Sequence, residues 1–212
     1  MRTDITHDGK TETKPSGQWR TIVKVFLHKD FNFPNNDIAI AVMDQMWVFN
    51  KNVSSVRMAT SSSDYVEHQC MSAGYGQLGF NLGDRMSPIM LTAEIETISR
   101  WRCTLLWEMN MDEFVCSSSA VSDVSRGDSG GPLVCRRTGD PEERDDEGVL
   151  VGIVSGKNVD ATTLYTRVSA FRTWIANDYK DGGGADRTLN CNAGDTLHMS
   201  LNVVWSIILF VY

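Results

Sequence analysis

Short runs of β-branched and apolar residues, each broken by a polar or turn-rich stretch, leave this chain few folds to choose from. Thr21 to Leu27 (TIVKVFL), Asp37 to Met43 (DIAIAVM), Cys70 to Leu78 (CMSAGYGQL), Gly148 to Ser155 (GVLVGIVS) and Thr163 to Val168 (TLYTRV) each read as strands. Asn32-Phe33-Pro34-Asn35-Asn36 is a turn signal, and Ser61 to Asp64 a polar loop. The glycines in Cys70 to Leu78 mark places where backbone turns or approaches closely. Little helical periodicity precedes residue 165, so the pattern predicts an all-β sandwich or barrel. One helix is predicted from Val168 to Tyr179, where Phe171, Trp174 and Ile175 share a face. Gly182-Gly183-Gly184 then marks a linker, so the chain divides into a polar leader over 1–18, a folded region over 19–179 and a linker with an apolar tail over 180–212.

Composition excludes several classes of function. The 212 residues suit one domain or two small lobes, with chain enough to bury a core. A net charge of −7 and no Lys/Arg-rich run argue against nucleic acid as a partner. The acidic stretch from Gly139 to Gly148 reads as a solvated loop. Five cysteines (Cys70, Cys103, Cys116, Cys135, Cys191) form no C-x-x-C pair, so no zinc site is expected, and nothing calls for an organic cofactor. They are either unrelated cytosolic thiols or disulfides with one left over. Met1 to Gln18 has no apolar segment of the kind a secretory signal needs. The chain is therefore either cytosolic or lacks its true amino terminus.

Gly127-Asp128-Ser129-Gly130-Gly131-Pro132-Leu133-Val134-Cys135 is the most informative stretch. Glycines on both sides of Ser129 permit a tight backbone that a Cβ would obstruct. Such a turn presents the hydroxyl beside the amides of Gly127 and Ser129, and two convergent N–H groups next to a nucleophile make an oxyanion hole. A serine hydroxyl is unreactive alone and needs a base, normally His, itself oriented by a carboxylate.

This stretch resembles the nucleophile signature of the trypsin/chymotrypsin family of serine proteases. Asn36-Asp37-Ile38-Ala39-Ile40 is similar to the family's segment around the triad carboxylate, which places that role on Asp37. The spacing agrees: 129 − 37 is 92 residues, against roughly 93 in the family's worked triad. Cys70 to Gly76 resembles the Cys-x-x-x-Gly-Trp-Gly strand with Tyr75 in place of Trp, and Gly152-Ile153-Val154-Ser155 the strand that binds substrate backbone. Tyr165-Thr166-Arg167-Val168 through Trp174-Ile175 is similar to the last strand and terminal helix. The resemblance implies two antiparallel six-stranded β-barrels, the first incomplete here, followed by a C-terminal helix. It also implies disulfides Cys70–Cys135 and Cys103–Cys116, and a role for Asp128 in pairing with an ammonium terminus freed by activation. Asp123 matches the carboxylate of a pocket that selects Arg or Lys, with Ser155, Lys157 and Thr163 as further substrate-binding positions. Two departures bear on that pocket: Thr163 narrows it, and Lys157 is placed to reach Asp123 and neutralise it.

The family's Ala-Ala-His-Cys motif occurs nowhere in the chain. By the triad spacing its His falls roughly eight residues upstream of Met1. His7, His28, His68 and His198 are expected in surface or packing roles. The sequence therefore implies an extracellular serine endopeptidase acting on proteins or peptides and subject to protein inhibitors, seen as an N-terminally incomplete and inactive chain. The competing expectation is a non-catalytic protease homologue serving as a secreted binding or regulatory module. Asn52-Val53-Ser54 is an N-glycosylation sequon. Leu201 to Tyr212 is uncharged and too short to span a bilayer. Preceded by small residues and a polar spacer, it has the layout of a GPI-attachment signal, with an apolar strand packing on the domain as the alternative.

Overall fold

The computed structural model describes residues 18–78, 85–118, 122–144, 147–158, 162–178 and 208–209. Along the chain run β1 (Ile22–Leu27), β2 (Ala39–Met43), β3 (Arg57–Met58), β4 (Gln69–Gly74), β5 (Leu91–Ile95), β6 (Thr97–Ile98), α1 (Arg100–Trp107), β7 (Phe114–Ser118), β8 (Pro132–Arg136), β9 (Val149–Lys157), β10 (Thr162–Arg167) and β11 (Ile208–Leu209). The fold is predominantly β, as the short apolar and β-branched runs predict.

The larger sheet has the order β5-β4-β8-β9-β10-β7-β6, with β3 added beside β9. Its two ends are one strand: only Glu96 separates β5 from β6, and the Glu96 carbonyl accepts from the Ser118 amide at 2.8 Å. The sheet therefore curls on itself into a six-stranded barrel, as expected for the second half of the fold. Barrels remove the exposed edges that open sheets must protect. The first half is a three-stranded sheet in the order β1-β2-β11. β1 pairs antiparallel with β2, Val25 opposite Ala41, and β11 lies parallel to β2.

β9 joins the two halves. All its residues from Val149 to Ser155 are buried, because both its faces are covered. Val149, Val151 and Val154 point into the barrel with Leu133, Val115 and Tyr165. Leu150 and Ile153 face the other way, onto Ile38, Ile40, Phe171, Trp174 and Ile175. Successive strand residues point to opposite faces, so one continuous apolar run serves two cores.

Four expectations are corrected. The predicted helix from Val168 is a 3-10 turn over Val168–Phe171 and a π-helical turn over Trp174–Asp178, although Phe171, Trp174 and Ile175 are buried together. The strand read as Cys70 to Leu78 ends at Gly74. α1 lies where no helical period is visible, because it buries only Cys103. Ser99 caps it by accepting from the Arg102 amide, and Glu108 ends it in the left-handed region at φ 54°. The acidic stretch is only partly solvated: Asp140 is buried, and its carboxylate accepts from Thr60, Ser61 and Glu142. Both disulfides form as the resemblance implies. Cys70 stands directly opposite Cys135 in the β4–β8 pairing, and Cys103 ties α1 to Cys116 in β7. Cys191 and the Gly182-Gly183-Gly184 linker lie outside the described residues.

Candidate active site

The loop entering β8 is a turn that only its glycines permit. Gly127 and Gly130 take φ of +98° and +79°, where a side chain is strained. The Asp128 amide donates to the Ser125 carbonyl and Gly131 to Asp128, closing the turn on itself. Gly130 donates to Val154 O and Val154 to Gly131 O, each at 2.9 Å, which fastens the turn to β9. Ser129 is exposed at its tip. Neither its amide nor that of Gly127 donates to a backbone carbonyl among the described residues.

Asp37 enters from the other half of the molecule, just ahead of β2, and is 2% exposed. The Ser155 hydroxyl donates to its Oδ2 at 2.6 Å, and the Thr166 hydroxyl to its main-chain carbonyl at 2.8 Å. Ser155 follows Val154, the residue that holds the serine turn. β9 thus brings Asp37 and Ser129 to one rim by consecutive residues. Ser155, which the resemblance gives to substrate, also clamps Asp37, a contact that no motif in the sequence signals.

Both described histidines have their rings packed on aromatic side chains, although the His28 amide donates to the carbonyl of Ile38, next to Asp37, at 3.2 Å. His28 packs its ring on Phe171 and Trp174, with centroids 5.6 and 5.2 Å away. His68 lies edge-on to Tyr65, its Nδ1 3.0 Å from the Val66 carbonyl. His7 and His198 lie outside the described residues.

Asp128 turns its carboxylate away from Ser129. The Gly76 amide donates to Oδ1 at 2.7 Å and the Ser125 amide to Oδ2 at 2.8 Å. A Cβ at Gly74 would stand 1.9 Å from Oδ1, so both glycines of the β4 end are needed for this approach. Beside the carboxylate is a cavity of about 160 Å³ lined by Gly74, Gly76, Gln77, Asp123, Ser125 and Asp128. Lys157 reaches Asp123, its Nζ 2.7 Å from Oδ2, and the Thr163 hydroxyl, expected only to narrow the pocket, donates to Oδ1 at 2.7 Å. Asn52 is exposed in the turn between Asn50 and Val53. Among the described residues no cluster of His, Cys, Asp and Glu is arranged to hold a metal ion.

A barrel and a partial second sheet, with a glycine-framed serine and a buried carboxylate where they meet, have the architecture of serine proteases. Known proteins agree. The family model for trypsin matches residues 3–175. Mast cell protease 3 of sheep (Ovis aries) is 30% identical over 189 residues, covering 82% of this chain and 69% of that protein. Transmembrane protease serine 7 of mouse (Mus musculus) is 34% identical over 113 residues, covering 50% of this chain; the match spans 13% of the mouse protein. The solved structure of neuropsin, a serine protease expressed in the limbic system of mouse brain, has a TM-score of 0.62 over 76% of this chain and 72% of its own. At 23% identity that likeness speaks for the fold alone. The chain belongs to the trypsin family of serine proteases.

Proposed function

We propose that the chain carries the nucleophile and the orienting carboxylate of a serine endopeptidase. In that reading Ser129 Oγ forms the new bond to the scissile carbonyl carbon. Its proton passes to an imidazole base, and the developing oxyanion is held by the Gly127 and Ser129 amides. Asp37 orients the imidazole and stays ionised while the imidazolium forms. The observation that carries the reading is the run Val154-Ser155 in β9. One residue is hydrogen-bonded to the serine turn and the next to the Asp37 carboxylate.

The family's Ala-Ala-His-Cys motif is absent from the sequence, so on this reading the chain alone should hydrolyse little or nothing. Removing one member of a triad leaves only weak catalysis from the oxyanion hole and binding. Asp128 and its cavity have the charge and place to receive an ammonium terminus, which would hold the serine turn in its active shape. Substrates and inhibitors would be proteins, and the disulfides fit an extracellular setting, where Asn52 is open to glycosylation. The pairing of β11 with β2 supports the tail as a strand that packs on the domain rather than as an anchor signal. Asp123 alone would favour cleavage after Arg or Lys; its pairing with Lys157 bears on that below.

Reading the transcript upstream of Met1 tests the proposal. An in-frame Ala-x-His-Cys supports the endopeptidase. Another residue at the His position supports the second reading, a non-catalytic homologue. Stop codons directly before Met1 would defeat the endopeptidase.

A further inference from the structure

Lys157, the last residue of β9, and Thr163 on β10 are cross-strand partners, so one rung of the barrel aims both side chains at Asp123. The Asp123 side chain is 12% exposed and that of Lys157 32%. Oδ2 takes the ammonium at 2.7 Å, while Oδ1 takes the Thr163 hydroxyl at 2.7 Å and the Val124 amide at 2.8 Å. The ammonium also lies 3.4 Å from the Val124 carbonyl. Oδ1 is thus held by hydrogen bonds, whereas Oδ2 has the ion pair alone, the ammonium standing at 2.7 Å outside hydrogen-bonding alignment; the local charge is balanced within the chain. A guanidinium or ammonium entering from a substrate must either displace Lys157 or stand as a second cation at one carboxylate. A carboxylate entering instead would meet Asp123 with the Lys157 ammonium already paired. Thr163, itself fully buried, adds a branched side chain to the wall.

We propose that Lys157 is the specificity-determining residue of this pocket: it neutralises Asp123 from within, so the pocket accepts small uncharged side chains and refuses Arg and Lys. The inference rests on reading the Asp123 cleft as the site for the side chain at the cleaved bond.

The test is a fluorescence titration of the 212-residue chain with p-aminobenzamidine, an aromatic amidinium of arginine-like charge. The probe should bind Lys157→Gly about a hundredfold more tightly than wild type, the size expected when a buried carboxylate exchanges partners. Lys157→Gly/Asp123→Asn should lose the gain. Equal binding by wild type and Lys157→Gly overturns the proposal, as does a folded Lys157→Gly that ignores the probe. A second measurement needs no variant: on wild type, acetylation of Lys157 followed by mass spectrometry should be several-fold slower than that of exposed Lys51. Equal rates would show the ammonium free and overturn the proposal. Neither readout depends on catalysis, so failure of the protease reading, seen as an unreactive Ser129 in the complete enzyme, is told apart from failure of this one.

Discussion

Single side chains carry much of the work of joining distant segments. The Ser155 hydroxyl reaches Asp37 across 118 residues of sequence. Ser155→Ala removes a hydrogen bond to a buried carboxylate and should cost about 1.5–3 kcal/mol in urea unfolding. Asp140 does a similar task at the surface loop, accepting from the Thr60, Ser61 and Glu142 amides and the Thr60 hydroxyl at 2.7–2.9 Å. Burial alone would raise its pKa, but these bonds outweigh burial and hold it below the ordinary carboxylate value. A lowered folded-state pKa means the contribution is complete above the unfolded value of about 3.9 and disappears as pH falls through the lower folded one. Thermal melts should therefore show stability falling on acidification below about pH 4, with a smaller fall in Asp140→Asn. Tyr65, buried beside this loop, has its phenol pushed up to about 12, by burial first and then by the Asp140 charge. It stays neutral throughout that range.

Among the elements, what was legible in the sequence follows from which faces are covered. β1, β2, β9 and β10 were readable because their runs of apolar and β-branched residues exceed the polar ones. β7 was not: Ser117 is as deeply buried as its apolar neighbours, so its burial shows no alternation. α1 escaped notice because a helix held by a cap and a disulfide needs no apolar stripe. The serine turn was legible because its glycines leave their mark in the sequence, whereas the Ser155–Asp37 bond depends on how two halves of the molecule meet. Two tests belong to this scale. Replacing Cys70 and Cys135 together by alanine should cost about 2–5 kcal/mol in denaturant unfolding. Gly74→Ala should displace the Asp128 carboxylate and with it the serine turn, since its Cβ has no room beside Oδ1. Loss of the Gly76 amide shift in NMR would report that displacement.

Over the whole molecule the two halves differ in how well they cover themselves. The smaller sheet and the segments around it expose Trp19, Val23, Met46, Val48 and Phe49, each by more than half, while the barrel half does so at Trp101 and Leu105 of α1. Apolar surface of this kind marks an association site or an aggregation liability. The isolated chain should bind the dye ANS in its native state and lose solubility as concentration rises, as fluorescence and light scattering would record. The central proposal is that β9 holds a nucleophile, Ser129, and its orienting carboxylate, Asp37, ready, with the family's Ala-Ala-His-Cys motif absent from the sequence. Treating the 212-residue chain with a fluorophosphonate probe and mapping adducts by mass spectrometry tests it most directly. The account predicts no adduct on this chain, and an adduct on Ser129 once the same sequence is joined to an upstream segment carrying the family's His. Labelling of Ser129 in the 212-residue chain itself would contradict it.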